Sequence, residues 1–458
     1  MAMFTTSWLT TIFTDYRGYI HHETSINEVT TDSRKKTKQS LFIPLIGDKF
    51  DGHLFLEQAI KQGAAATIWD KKKELPAHVP NDFPVFFVED TLKALQRLAS
   101  AYRYKVNPTV IGITGSNGKT TTKDIVKSIL SSKFKTHATE GNLNNHIGVP
   151  LTILSMKQET EILVLEMGMN DFNEIDVLSR LAEPDYAIIT NIGESHIEYL
   201  GSREGIAKAK LEITHGLKQN GSLIIDGDEE LLTHIESRHN IIKCGFNSLN
   251  DVLIDKVKVE PTQTVFHLSD GMNYVIPLLG RHHAKNASFA IALGKKLGIP
   301  EKEIKKALQT AALTAMRFEM SEGKNGVAII NDAYNASPTS MKAAIKVVKE
   351  MPGFKNKVLV LGDIFELGQK SLDMHKSIAE EIERPITALL TYGNDIKQAN
   401  TRLQEINPGI DNHYFKSTED LIKALEPYLN QDSIILFKAS RGMAFETLID
   451  QIQDDQVL

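Results

Sequence analysis

Cysteine is nearly missing from these 458 residues: Cys244 is the only one. A lone thiol excludes an intramolecular disulfide and fits a reducing cytoplasm. No apolar run reaches the ~20 residues that a membrane-spanning helix needs, so membrane insertion is not expected. Charge of one sign is lacking as well. With 52 Lys and Arg against 58 Asp and Glu, the formal net charge of −6 offers no basic surplus to attract nucleic acid or an anionic bilayer. Repeats and low-complexity segments are also missing. Met1 to Phe13 is mildly apolar but has neither a basic leader nor a small-residue cleavage site, and reads as the first helix of a folded domain.

What remains is the composition of a globular chain, 41% hydrophobic and 24% charged. At ~150 residues per domain, the length predicts three domains. Residues 1–105 mix short elements. Ser40 to Leu45 predicts a strand, and Gly63 to Trp69 a helix end running into another. Thr91 to Tyr104 predicts a helix that stops at Asn107-Pro108, because proline disfavours helix in the residue before it. Residues 106–313 alternate: strands at 109–113, 161–166, 186–191 and 222–225, and helices at 119–132, 173–181 and 205–218. A β insert over 250–280 and a helix over 283–297 follow. Residues 314–458 repeat the alternation, with strands at 327–331, 357–361, 387–391 and 433–438. This rhythm predicts an α/β fold of three domains: a small N-terminal α/β unit, a central phosphate-loop domain with a parallel sheet, and a C-terminal Rossmann-like unit.

The most informative stretch joins the strand Val110 to Ile113 to a helix through Gly115, Ser116, Asn117, Gly118, Lys119, Thr120 and Thr121. Small residues let backbone N–H groups converge on an anion, and the helix N-terminus adds partial positive charge. Lys119 can reach the terminal phosphates of a nucleoside triphosphate, and the Thr120 hydroxyl is placed for Mg²⁺. The spacing departs from the common phosphate loop, with glycines at 112, 115 and 118. Glu166 ends the strand 161–166, and His196 follows the strand 186–191, so both reach the carboxyl edge where parallel sheets bind ligands. They are candidate Mg²⁺ ligands. Further on, Ala207-Lys208-Ala209-Lys210-Leu211-Glu212 fits a basic helix face equally well.

The phosphate loop, Glu166-Met167-Gly168, Asn191-Ile192-Gly193 with His196, and Ala209-Lys210-Leu211-Glu212 together, in this order, resemble the Mur ligase family, whose members make amide bonds in peptidoglycan precursors. The resemblance implies that Lys210, rather than Lys208, is carbamylated by CO₂. It would then join Thr120, Glu166 and His196 in holding two Mg²⁺, with Lys119, Glu166, His196 and Lys210 as the catalytic set. A carbamate would reverse the sign of an ammonium that would otherwise repel the metal, and would offer the oxygen that Mg²⁺ prefers. Gly280 to Ala287 resembles the segment where two asparagines meet adenine, with His283 in place of the first and Asn286 retained. Arg317 is implied at phosphate, Asp332 at ribose, and Asn335 near phosphate or the incoming amine.

Thr31-Asp32-Ser33-Arg34 and Phe42 to His53 resemble the family's uridine-nucleotide domain, which places Ser33 and Arg34 at the UDP group. Asn142 and Asn145, within Gly141 to Gly148, are implied at the substrate. Leu361 to Gly368, His375, and Lys438 to Met443 extend the likeness, whereas an Asp-Asn-Pro-Arg motif is absent. The implied substrates are UDP-N-acetylmuramoyl-tripeptide and D-alanyl-D-alanine, with ATP and Mg²⁺ as cofactors and the chain as a monomer. A Mur-type ligase with another amino acceptor is the alternative. Arg317 and the phosphate loop fall in different domains, so the C-terminal domain is expected to swing shut over the site. His21-His22 and Cys244 suggest no chemistry.

Overall fold

The computed structural model describes residues 2–20, 24–235, 238–312 and 314–453. His21-His22 and residue 313, the expected end of the central domain, lie outside them. Three large sheets, each carrying helices, and one two-stranded pairing organise the described chain.

The first sheet has five strands, in the spatial order Tyr16–Arg17, Val85–Val88, Ala64–Asp70, Ser40–Phe42 and Glu28–Thr30. All its pairings are parallel except that of the first two strands. Helix Thr91–Val106 starts on the Asp90 side chain and ends at Asn107 in a left-handed conformation. Its buried Ala94, Leu95, Leu98 and Tyr102 recur at helical spacing, and the Tyr102 hydroxyl donates to Met156 O of the central domain at 3.0 Å. The expected N-terminal helix is present but short. A two-residue strand, Phe4–Thr5, leads into a single short helix, Thr6–Thr10, because Phe4-Thr5 pairs with Ser25-Ile26 instead.

The central sheet has nine strands. At its heart β1 (Thr109–Thr114) lies between β2 (Ile162–Glu166) and β3 (Tyr186–Ile189), all parallel. These strands are nearly continuous apolar runs because helices cover both faces. The chain passes from β1 through the edge strand Thr136–Ala138 to β2 on one side, then crosses to β3 on the other. That reversal opens a crevice at the carboxyl ends of the three strands. The β insert forms Val252–Glu260, Gln263–Leu268 and Asn273–Ile276, an antiparallel extension of the same sheet. Helix α1 (Lys119–Ser131) follows the phosphate loop, and α2 (Arg203–Leu211) ends earlier than expected. A tight turn, Glu212–Thr214, succeeds it, since the Glu212 carboxylate is drawn to the N–H groups of Asn173 and Asp176.

The third sheet runs Glu319–Glu322, β4 (Ala328–Asn331), β6 (Ser433–Lys438), β5 (Asn356–Gly362), Ala388–Tyr392 and Asp411–Phe415. Only the first of these strands is antiparallel.

Candidate active site

A cleft of about 440 Å³ lies at the carboxyl edge of the central sheet and is roofed by the C-terminal domain. Its floor is the phosphate loop. Gly118 has φ +77 and Gly115 φ +150, backbone positions that favour glycine. A side chain at Gly115 would also collide with Thr190, its Cβ lying 1.9 Å from the hydroxyl. The Asn117 amide donates to Asn191 Oδ1 at 3.0 Å and the Thr190 hydroxyl donates to Asn117 O at 2.6 Å, so the end of β3 holds the loop. Lys119 folds back on the loop, with Nζ donating to Gly115 O at 2.7 Å. Burial pushes its ammonium below the ordinary lysine range; Glu166 opposes that fall and Arg317 adds to it.

Glu166 is buried at the end of β2. Asn144 donates to Oε1 at 2.8 Å, while Oε2 is buried with no hydrogen-bond partner among the described residues. An orphaned carboxylate oxygen beside a threonine hydroxyl and an imidazole suits a hard divalent cation. Among the described residues, no three His, Cys, Asp or Glu side chains gather as a metal group. Any metal here therefore needs oxygen from elsewhere, such as Thr120. Lys210 is not part of the cleft wall. It is 2% exposed on α2, and burial together with the neighbouring Lys119 charge pushes its amine well below the ordinary range.

The C-terminal domain reaches the loop directly. Arg317 donates to the Thr120 hydroxyl at 3.0 Å, and its guanidinium stacks 3.9 Å over Tyr334. The Ser337 hydroxyl donates to Asn117 Oδ1 at 2.9 Å. His196 Nδ1 lies 2.5 Å from a carboxylate oxygen of Glu366. The expected swing is thus not required to bring Arg317 to the phosphate loop, because the two already touch. Asp332 sits at the end of β4, paired with Lys438 Nζ at 2.6 Å and accepting the Phe318 amide.

Toward the other end, Asn286 packs against Gly118, whose added Cβ would lie 2.9 Å from Asn286 Oδ1. His283 is buried with both ring nitrogens unpartnered among the described residues, and its ring centre is 4.0 Å from that of His282. Asn142, Asn145 and Asn335 also line the cleft; Asn145 Oδ1 accepts the Ile147 and Gly148 amides.

Ser33 and Arg34 lie outside this cleft. The Ser33 hydroxyl donates to Gln58 at 3.0 Å, and the exposed Arg34 forks onto Asp32 at 2.9 Å. Asp32 borders a separate cavity of about 710 Å³ between the first sheet and the central domain. Reasoning from the sequence assigned no role to Asn144, Tyr334, Glu366 or Lys438. Each stands inside a quoted motif, but its contact is made by a distant segment.

The family model of the Mur ligase middle domain matches residues 113–294, the Mur ligase glutamate ligase domain 316–441, and the Mur ligase family catalytic domain 25–103. The chain belongs to the Mur ligase family. It is 46% identical to the UDP-N-acetylmuramoyl-tripeptide–D-alanyl-D-alanine ligase of Bacillus subtilis, over 94% of each chain. Its structure superposes on a crystal structure of MurF from Acinetobacter baumannii with a TM-score of 0.85, at 31% identity and 98% coverage of both chains. MurF ligase from Thermotoga maritima in complex with ADP gives a TM-score of 0.79 at 27% identity, covering 92% of this chain and 96% of that one.

Proposed function

We propose that this chain is an ATP-dependent peptide ligase that adds D-alanyl-D-alanine to UDP-N-acetylmuramoyl-tripeptide, giving the pentapeptide, ADP and phosphate. The observation that carries this reading is the whole-length likeness to the Bacillus subtilis ligase together with a phosphate cleft roofed by the third domain. On this reading the domains are 1–105 for the uridine nucleotide, 106–313 for ATP and 314–458 as the closing unit. Ser33 and Arg34 meet the UDP group, and the chain works as a cytoplasmic monomer.

Joining a carboxylate to an amine in water is uphill, so the tripeptide carboxylate is first phosphorylated by ATP. The amine then attacks the acyl phosphate, and phosphate leaves from a tetrahedral intermediate. Both partners in the first step are anionic. Lys119, the loop amides of Ser116 to Thr121 and Arg317 draw off that repulsion and align the phosphates. Asn286 faces the base, and Asp332 the ribose. Asn142, Asn145 and Asn335 orient the tripeptide and the incoming amine.

Thr120, Glu166, His196 and a carbamylated Lys210 would hold Mg²⁺, which would supply charge neutralisation for phosphoryl transfer. The orphaned Glu166 oxygen supports the metal, and the lowered Lys210 favours the carbamate, since only a neutral amine adds to CO₂.

The test is product mass and phosphate release with ATP, Mg²⁺, UDP-N-acetylmuramoyl-tripeptide and D-alanyl-D-alanine, run beside Lys210→Ala. The expected outcome is a pentapeptide that requires both substrates. The variant should lose about 10²–10³ in kcat and recover in part with added short carboxylates. Phosphate release without pentapeptide would overturn the acceptor and point to another amine.

A further inference from the structure

The contact between His196 and Glu366 crosses the domain interface, and both residues are held in unusual backbone. His196 has φ +65 and Glu366 φ +62, left-handed values that non-glycine residues rarely adopt. Such strain persists only where the surroundings over-determine it. Around Glu366 they do. The Ile364 amide donates to His375 Nε2 at 2.9 Å, and His375 Nδ1–H donates to Ser371 O at 2.8 Å, so a buried imidazole anchors the turn in one tautomer. The Phe365 amide donates to the Ser440 hydroxyl at 2.9 Å. Across the interface the Glu198 amide donates to Glu366 O, and Gly368 packs on the Glu198 side chain. An incidental ion pair between neighbours needs no such bracing.

A histidine that ligates a metal through one ring nitrogen commonly donates the other N–H to a carboxylate, which fixes tautomer and ring orientation. We propose that Glu366 is the positioning residue of His196: its carboxylate lies 2.5 Å from Nδ1, which has no hydrogen bond as placed, and a small turn of the ring lets it accept Nδ1–H, leave Nε2 free for the cation, and complete the ligand set only while the two domains touch. This rests on the reading of His196 as a metal ligand. Cation binding and domain contact then become one equilibrium, with the metal favouring the joined form and the joined form favouring the metal.

The full-length chain can test this by Mn²⁺ titration, read by electron paramagnetic resonance in the presence of a non-hydrolysable ATP analogue. Histidine ¹⁵N NMR supplies a second readout, with the His196 signals identified by their loss in His196→Gln. Glu366→Ala is expected to weaken Mn²⁺ about tenfold or more and to scramble the His196 tautomer. Glu366→Gln keeps an oxygen that can accept Nδ1–H and should retain the tautomer. If Glu366→Ala lowers the melting temperature, Glu366→Asp serves instead, because its carboxylate is drawn back by one methylene and should lose both signals. Unchanged Mn²⁺ affinity and tautomer in these variants overturn the proposal. Ligation by the unaltered chain is a separate readout: its failure with Mn²⁺ coupling intact rejects the acceptor assignment alone.

Discussion

The Lys119, Glu166 and His196 side chains could be placed at one edge from sequence because each ends or comes shortly after a strand, and strand ends in a parallel sheet share an edge. His282 and His283 could not be read this way. Burial governs both titrations, and for His282 the C-terminal domain adds the charges of Asp332 and Lys438. Burial pushes the His282 imidazole down to about 4, with Lys438 adding to the fall and Asp332 opposing it. In the unfolded chain the same ring titrates near ~6.5. Between about pH 6.5 and 4 the unfolded chain therefore takes up a proton that the folded chain refuses. Stability is fully present above that window and is lost as pH falls through it. Burial moves His283 in the same direction. A plot of melting temperature against pH should fall across this range, and His282→Asn should flatten that part of the curve by roughly a few degrees. A slope unchanged in the variant would show that other groups set the acid limit. The Glu366 contact was equally hidden, since no spacing in the sequence relates residues 196 and 366.

At the scale of elements, most buried strands were legible, though Val85–Val88 inside the first sheet was not, and edge strands were not. The strands flanking the phosphate loop are apolar except at their ends, as two covered faces demand. Thr136–Ala138, Glu319–Glu322 and Asp411–Phe415 are edge strands of polar or short sequence, fixed by one backbone ladder rather than by burial. Asn240–Gly245 was missed for a different reason: it is interior, but it opens with an exposed asparagine and carries a lysine. Helix α1 was expected from the loop before it, yet its link to the third domain was not. Asp124, buried on α1, accepts both the amide and the hydroxyl of Thr314, 2.9 and 2.8 Å away, just before Arg317. Removing that carboxylate orphans a backbone N–H and frees the segment that carries Arg317. Asp124→Ala should cost about 1–3 kcal/mol in denaturant unfolding. In steady-state kinetics it should raise the KM for ATP more than it lowers kcat. A variant with normal KM would mean that Arg317 holds its place without this tether.

For the whole molecule, the decisive feature is how the third domain is attached. Polar pairs join it to the phosphate-loop side, Arg317 to Thr120, Ser337 to Asn117, Thr339 to Glu194 and Glu366 to His196, while Met341, Ala344 and Val347 share an apolar cluster with Ile192, Leu200 and Leu279 of the central domain. The polar pairs around the phosphate loop exchange partners with water at little net cost, so rearrangement there is the ordinary expectation. The contacts are also ones that substrates must edit. Arg317 now occupies the hydroxyl that the proposed site gives to Mg²⁺, and a cation there would repel a guanidinium at hydrogen-bond distance. Nucleotide phosphates resolve this conflict by offering the arginine an anion, which turns a direct domain contact into one bridged by ligand. The substrate-free chain should therefore sample more open arrangements than the one seen here, and the bridged state should be the compact one. Small-angle scattering is expected to show a smaller radius of gyration once an ATP analogue, Mg²⁺ and UDP-N-acetylmuramoyl-tripeptide are all present. Nucleotide alone should give a partial change, because it supplies the bridge to Arg317 but leaves the tripeptide side empty. Identical scattering in all three states would mean a rigid chain, in which Arg317 moves by side-chain rotation alone.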